Sequence, residues 1–193
     1  MAYEAQLAHR VGLTPNAVSG FGVLAAVASA ALYWAAQFSW LCLVFAPVLL
    51  LISGFFDALD GVVARLFESV TVFGGFLDSM LDRYADALIL IGLVLGGFAD
   101  AFWGLLALMG SLLVSYSRAR AEAAGVRMET VGLAERAERI LILVVASFVA
   151  LAWHDALWWS VVLLAVLTNL TVVQRVVYFR SALKKKAAVT PIV

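Results

Sequence analysis

From Val11 to Phe56 the chain carries no charged residue. A membrane-spanning helix needs about 20 apolar residues, so this stretch holds two helices joined by a tight hairpin. Two later stretches repeat the pattern. Phe73 to Ser117 is apolar apart from Asp78, Asp82, Arg83, Asp86 and Asp100, and Ile140 to Gln174 is apolar apart from His154 and Asp155. The reading is an all-α polytopic membrane protein with six transmembrane helices, over roughly 16–36, 40–65, 73–97, 102–124, 134–153 and 156–178. Composition agrees: 65% of the residues are hydrophobic and 13% charged, against about 25% charged in soluble domains. The formal net charge is zero, so no bulk attraction to nucleic acid is expected. Cys42 is the single cysteine, which excludes an intrachain disulfide and a cysteine-pair metal site. The opening MAYEAQLAHR lacks a basic segment followed by a short apolar core, so the first span is expected to stay in the mature protein.

In the six-span arrangement all 13 Lys and Arg fall on one side, while the three opposite loops carry only Asp100, His154 and Asp155. The positive-inside rule makes the basic side cytoplasmic, with both termini on it. Trp34, Trp40, Trp103, Trp153, Trp158 and Trp159 fall near the other boundary, as expected of an interfacial tryptophan belt. The expected divisions are a short interfacial segment over 1–13, a six-helix membrane domain over 14–179 and a basic tail over 180–193. In the first segment Ala2, Leu7 and Val11 are apolar, whereas Glu4, His9 and Arg10 are not. The tail's Arg180 and Lys184 to Lys186 suit a headgroup anchor.

Acids inside spans are costly, about 2.5–3.5 kcal/mol for Asp at a helix centre, and they mark function by default. Asp57 and Asp60 are three apart on the second span; Asp78 and Asp82 are four apart on the third. Each pair shares a helix face, and the short connection near Leu66 to Val72 makes the two helices antiparallel neighbours. Four converging carboxylates take up protons or bind cations. Oxygen-only ligands favour Mg²⁺, Mn²⁺ or Ca²⁺, and two divalent ions balance the charge. Such a site suits phosphoryl chemistry. Gly61, Gly74 and Gly75 let a phosphate or sugar approach the backbone, although small residues also serve helix packing. Arg65, one turn past Gly61, can pair with a phosphate.

In order and spacing, Asp57, Asp60, Gly61, Ala64, Arg65, Gly74, Asp78 and Asp82 resemble the signature of the CDP-alcohol phosphatidyltransferase family, with every fixed position filled. Nearly the whole chain is covered by that family's membrane domain. The resemblance implies a CDP-linked lipid donor, attack by an acceptor hydroxyl on the lipid-linked phosphorus, and release of CMP. It also implies that Asp57, Asp60, Asp78 and Asp82 hold two Mg²⁺ or Mn²⁺ ions, with Asp82 doubling as general base. Asp60, Gly61, Ala64, Arg65 and Gly74 would bind CDP, with Thr71 adding a nucleotide contact. Thr14, Pro15 and Asn16 resemble the turn that opens the family's first span, though proline also starts helices for structural reasons alone. Members are commonly homodimers, so a homodimer is expected.

Ser115 to Glu122, Glu135 to Arg139, and Gln174 with Arg175 bring arginines to the cytoplasmic ends of three spans, level with the acids. Guanidiniums there suit a second phosphate. Arg118, Arg136 and Arg175 are the expected acceptor-phosphate ligands. Arg120 and Arg127 are read as topology charges, and Asp86 as the partner of a neighbouring arginine. This pattern is similar to the branch of phosphatidylinositol phosphate and archaetidylinositol phosphate synthases, which implies inositol phosphate as acceptor. It departs from the actinobacterial pattern at Arg118 and Ala137, where Lys and Pro are frequent. Glycerol 3-phosphate as acceptor, or CDP-inositol as donor, are the alternatives within the family. A cation transporter is the remote alternative, since intramembrane acids also mark ion paths; the acids here crowd one boundary, with none at mid-membrane.

Overall fold

The computed structural model describes residues 1–128 and 131–189, the last five by their backbone alone. Among the described residues seven helices follow one another: α1 Ala2–Arg10, α2 Pro15–Ala35, α3 Trp40–Leu66, α4 Val72–Leu95, α5 Ala101–Ala123, α6 Arg136–Val149 and α7 Ala156–Val189. No strand occurs among the described residues. The protein is all-α, and α2 to α7 begin within two residues of the six expected spans.

Among the described residues four helices are long and apolar enough to cross a membrane: Pro15–Ala35, Trp40–Leu66, Ala101–Ala123 and Ala156–Lys184. Of the six helices at expected spans, α4 and α6 fall short for different reasons. α4 has 24 residues, about 36 Å of helix, but bears Asp78, Asp82, Arg83 and Asp86. α6 has 14 residues, about 21 Å against a hydrocarbon core of about 30 Å. The fifth expected span, 134–153, is therefore a shorter helix, Arg136–Val149. Before it, Leu133 N–H donates to Thr171 Oγ1 at 3.1 Å and Arg139 donates to the Ala134 carbonyl at 3.2 Å, which fixes an irregular approach to Arg136. After it, the backbone turns, Trp153 N–H donating to the Val149 carbonyl at 2.8 Å. α7 is longer than expected: Arg180 and Lys184 continue the helix. Residues 190–193 of the expected tail, and the side chains of Lys185 and Lys186, lie outside the described residues.

Helix starts follow local chemistry. Pro15 opens α2, and Thr14 Oγ1 accepts from Ala17 N–H at 3.2 Å. Thr71 caps α4 by accepting from Gly74 N–H at 2.9 Å. Asp100 precedes α5, but its carboxylate accepts from Trp158 Nε1 at 2.6 Å and so ties α5 to α7. α1 turns a different face inward from the one its larger apolar residues suggested. Ala5 and Ala8 pack with Val18, Leu59 and Val63, and His9 stacks on Phe67 at 3.7 Å, leaving Leu7 and Val11 exposed.

The main apolar core, with Tyr33, Leu50, Leu93, Leu157 and Val161, concentrates toward the tryptophan end, so the opposite end is open for polar grooves. Polar ties run through the core. Tyr33 and Ser147 hydroxyls meet at 2.7 Å, and Asn169 Nδ2 donates to the Leu106 carbonyl at 3.1 Å. Close helix approach needs small residues: a Cβ on Gly92 would stand 2.9 Å from Ala30 Cα. Gly92→Ala is expected to cost about 1–3 kcal/mol by overpacking. A thermal melt in detergent checks this; Gly20→Ala is the neutral control, since nothing lies within 4 Å of a Cβ there.

Candidate active site

α3 descends to the polar end and α4 returns from it, with α2 packed on both. The carboxylate oxygens of Asp57, Asp78 and Asp82 come within 4.8 Å of one another. Asp60, one turn further along α3, faces α2 and is 6% exposed. Its Oδ2 accepts from the Ser19 hydroxyl at 2.5 Å. The four acids thus line one narrow cleft with Ser19 and Ser53, three in a tight group and the fourth held to the side.

That cleft lies between two larger openings. On one side is a groove of about 310 Å³ lined by Asn16, Ser19, Asp60, Gly61, Ala64, Arg65, Thr71, Gly74 and Asp78, among others. Every residue expected to bind CDP is on its wall. The glycines make room there: a Cβ on Gly61 would meet Arg65 Nη1 at 3.2 Å, and one on Gly74 would meet Thr71 Oγ1 at 2.9 Å and Asn16 Oδ1 at 3.3 Å. On the other side is a pocket of about 170 Å³ lined by Asp82, Arg83, Asp86, Val114, Ser115, Arg118, Glu135, Arg136, Arg139 and Arg175. The three arginines expected to bind an acceptor phosphate all reach it, and with five arginines against three acids its wall is cationic.

These arginines are not equivalent. Arg118 is 46% exposed and pairs with Glu122 at 2.9 Å. Arg175 is 3% exposed; its Nε donates to the Val131 carbonyl at 2.8 Å and its Nη1 to the Val114 carbonyl. Part of its donor set thus clamps the α5–α6 connection onto α7. Arg139 is committed to Asp86, at 2.5 Å, and to Ala134, so Asp86 has the arginine partners expected of it. Arg136 pairs with Asp57, with Asp82 at 2.5 Å and with Asp86 at 3.3 Å.

The donor set fits divalent cations. It offers oxygen ligands only, clustered at a spacing one ion can span, and a guanidinium already lies among them. Asp57, Asp60, Asp78 and Asp82 are the residues that could hold such ions. Arg83, read from sequence only as a charge inside the third span, lines the arginine pocket, whereas Ser19 and Ser53 were missed from sequence. Their signal was faint: Ser19 lies one turn after Pro15, and Ser53 one turn before Asp57, each a polar residue in an apolar span level with the acids.

The family model described as CDP-alcohol phosphatidyltransferase matches residues 12–173. A protein from Methanothermobacter thermautotrophicus named archaetidylinositol phosphate synthase is 42% identical over 181 residues, covering 92% of this chain and 89% of its own. Two solved structures of Mycobacterium tuberculosis phosphatidylinositol phosphate synthase, one with CDP-DAG bound and one in complex with manganese and citrate, each share a TM-score of 0.79 and 32% identity. Each match covers 92% of this chain; the first covers 92% and the second 88% of the solved chain.

Proposed function

The chain belongs to the CDP-alcohol phosphatidyltransferase family, and from that premise we propose that it transfers the phosphatidyl or archaetidyl group of a CDP-linked lipid to a hydroxyl of inositol phosphate, releasing CMP. The carrying observation is the order of the three openings: glycine-lined groove, carboxylate cleft, arginine pocket. A donor diphosphate in the groove and an acceptor phosphate among the arginines would set the acceptor hydroxyl against the donor phosphorus at the acids.

Asp82 lines the cleft and the arginine pocket alike, the place for a general base. The acceptor oxygen bonds to the lipid-linked phosphorus, the bond to the CMP oxygen breaks, and the hydroxyl proton passes to Asp82 in the transition state. Asp57, Asp60, Asp78 and Asp82 would hold two Mg²⁺ or Mn²⁺ ions, which would supply charge neutralisation for the diphosphate and the departing CMP. Arg65 pairs with donor phosphate, the hydroxyl of Thr71 keeps its proton to donate to the nucleotide, and Arg118, Arg136 and Arg175 orient the acceptor.

The same proposal takes α2 to α7 as six spans, α4 crossing with its acids turned to the protein interior and α6 accommodated by local thinning of the bilayer. The acids and the described arginines share one end of the bundle, which the positive-inside rule places in the cytoplasm with both termini; the setting is the cell membrane. Residues 1–13, 14–179 and 180–193 are then interfacial segment, catalytic membrane domain and basic tail, and the working unit is a homodimer.

CMP release by the purified chain with Mn²⁺ tests the function. CDP-diacylglycerol or its ether equivalent should support release with inositol phosphate, and much less with glycerol 3-phosphate or unphosphorylated inositol. No release with inositol phosphate and either lipid would defeat the proposal. Gly74→Ala, which crowds Thr71 and Asn16, should raise the donor KM by about tenfold, the low end of what overpacking costs. The acceptor KM should not change.

A further inference from the structure

Among the described residues, Arg136 and Asp82 alone line both the carboxylate cleft and the arginine pocket. Arg136 Nη1 is buried between Asp57 and Asp82, yet makes no aligned hydrogen bond with either. The guanidinium is therefore held there by charge, not by the forked geometry that makes arginine–carboxylate pairs strong. Its Nε meets Asp86 at 3.3 Å, and Arg139 braces Asp86 from the other side at 2.5 Å. Arg136 is also the first residue of α6, where no preceding helical turn restricts its side chain.

We propose that Arg136 is an internal counter-ion that a divalent cation displaces from Asp57 and Asp82, and that the displaced guanidinium then serves the acceptor phosphate. A cation bound to those two carboxylates and a guanidinium between them would be like charges at contact distance, which repel strongly in a half-buried site. Asp86 is the pivot: it keeps Nε while the outer nitrogens swing from the acids to the pocket shared with Arg118 and Arg175. Cation and acceptor phosphate then bind with positive linkage, each tightening the other by the same factor. An acceptor arriving before the cation meets a pocket whose central arginine is engaged elsewhere. This inference rests on the arginine pocket being the acceptor site.

The test is titration calorimetry of Mn²⁺ into the purified full chain without substrate. Arg136→Gln should bind Mn²⁺ about tenfold more tightly than the unaltered protein, within the usual range of coupling between sites. Arg118→Gln should leave Mn²⁺ affinity unchanged. Inositol phosphate should bind the unaltered protein about tenfold more tightly with saturating Mn²⁺ than without it, and Arg136→Gln should lose that dependence. Equal or weaker Mn²⁺ binding by Arg136→Gln would overturn the proposal. If that variant does not fold, inositol phosphate affinity in the unaltered protein decides, and equality with and without Mn²⁺ overturns it. CMP release is scored separately: its absence defeats the functional reading, while the Mn²⁺ comparison still judges the counter-ion role.

Discussion

Asp82→Asn should lower turnover by about 10³–10⁴-fold, the upper part of what a positioned general base contributes. Asparagine keeps the size of the side chain and removes both its charge and its capacity to take a proton. Asp82 sits where the cleft opens to the arginine pocket, on the acceptor side, whereas Asp60 and Asp78 also line the donor groove. Asp82 would also help hold the ions that face the donor diphosphate, so CDP-lipid binding should weaken as well, but by much less than turnover. Single-turnover CMP formation beside an equilibrium measurement of CDP-lipid binding separates the two effects. Full activity in Asp82→Asn would remove the general-base role while leaving family membership intact.

Arg118→Gln should raise the acceptor KM by about tenfold, with kcat and donor KM little changed. A hydrogen bond to a charged group contributes about 1.5–3 kcal/mol, and the partial exposure of Arg118 puts it at the weak end. The residue suits the experiment because its partner in the protein is Glu122, at the surface, and its removal strips no buried acid of a counter-ion. Arg175→Gln would mix two effects. It would lose an acceptor contact and also the clamps to Val131 and Val114, so a lowered melting temperature should accompany its kinetic defect. Steady-state kinetics varying inositol phosphate at saturating donor makes the comparison. An acceptor KM unmoved by Arg118→Gln would place the phosphate elsewhere in the pocket.

Much of this site was legible because helical periodicity is local. Asp57 with Asp60, and Asp78 with Asp82, must share faces once the spans are helices, and the short connection between α3 and α4 leaves those faces little choice but to meet. The CDP roles of Gly61, Gly74 and Arg65 came from the family resemblance, and the acceptor arginines from their place at the ends of three spans. What stayed hidden depends on contacts between distant segments. Arg136 and Arg139 both lie in the first turn of α6, and only packing shows that Arg139 is locked to Asp86 and Ala134 while Arg136 reaches the acids. Ser19 was hidden because a lone serine in an apolar helix has a bland alternative, bonding back to its own helix, and Ser19 does also approach the Pro15 carbonyl at 3.1 Å. The length of α6 was hidden because the apolar run continues through Ala150 to Trp153, where the backbone has already turned.

The central claim is that the acids form a divalent-cation cleft between a CDP groove and an acceptor pocket. Anomalous diffraction from crystals grown with Mn²⁺, CDP and inositol phosphate tests it most directly. The account predicts two manganese peaks bonded to Asp57, Asp60, Asp78 and Asp82, with the CDP phosphates against Gly61 and Arg65 and the acceptor phosphate against Arg118 and Arg175. Manganese bound away from these aspartates, or CDP and inositol phosphate on the same side of them, would contradict it.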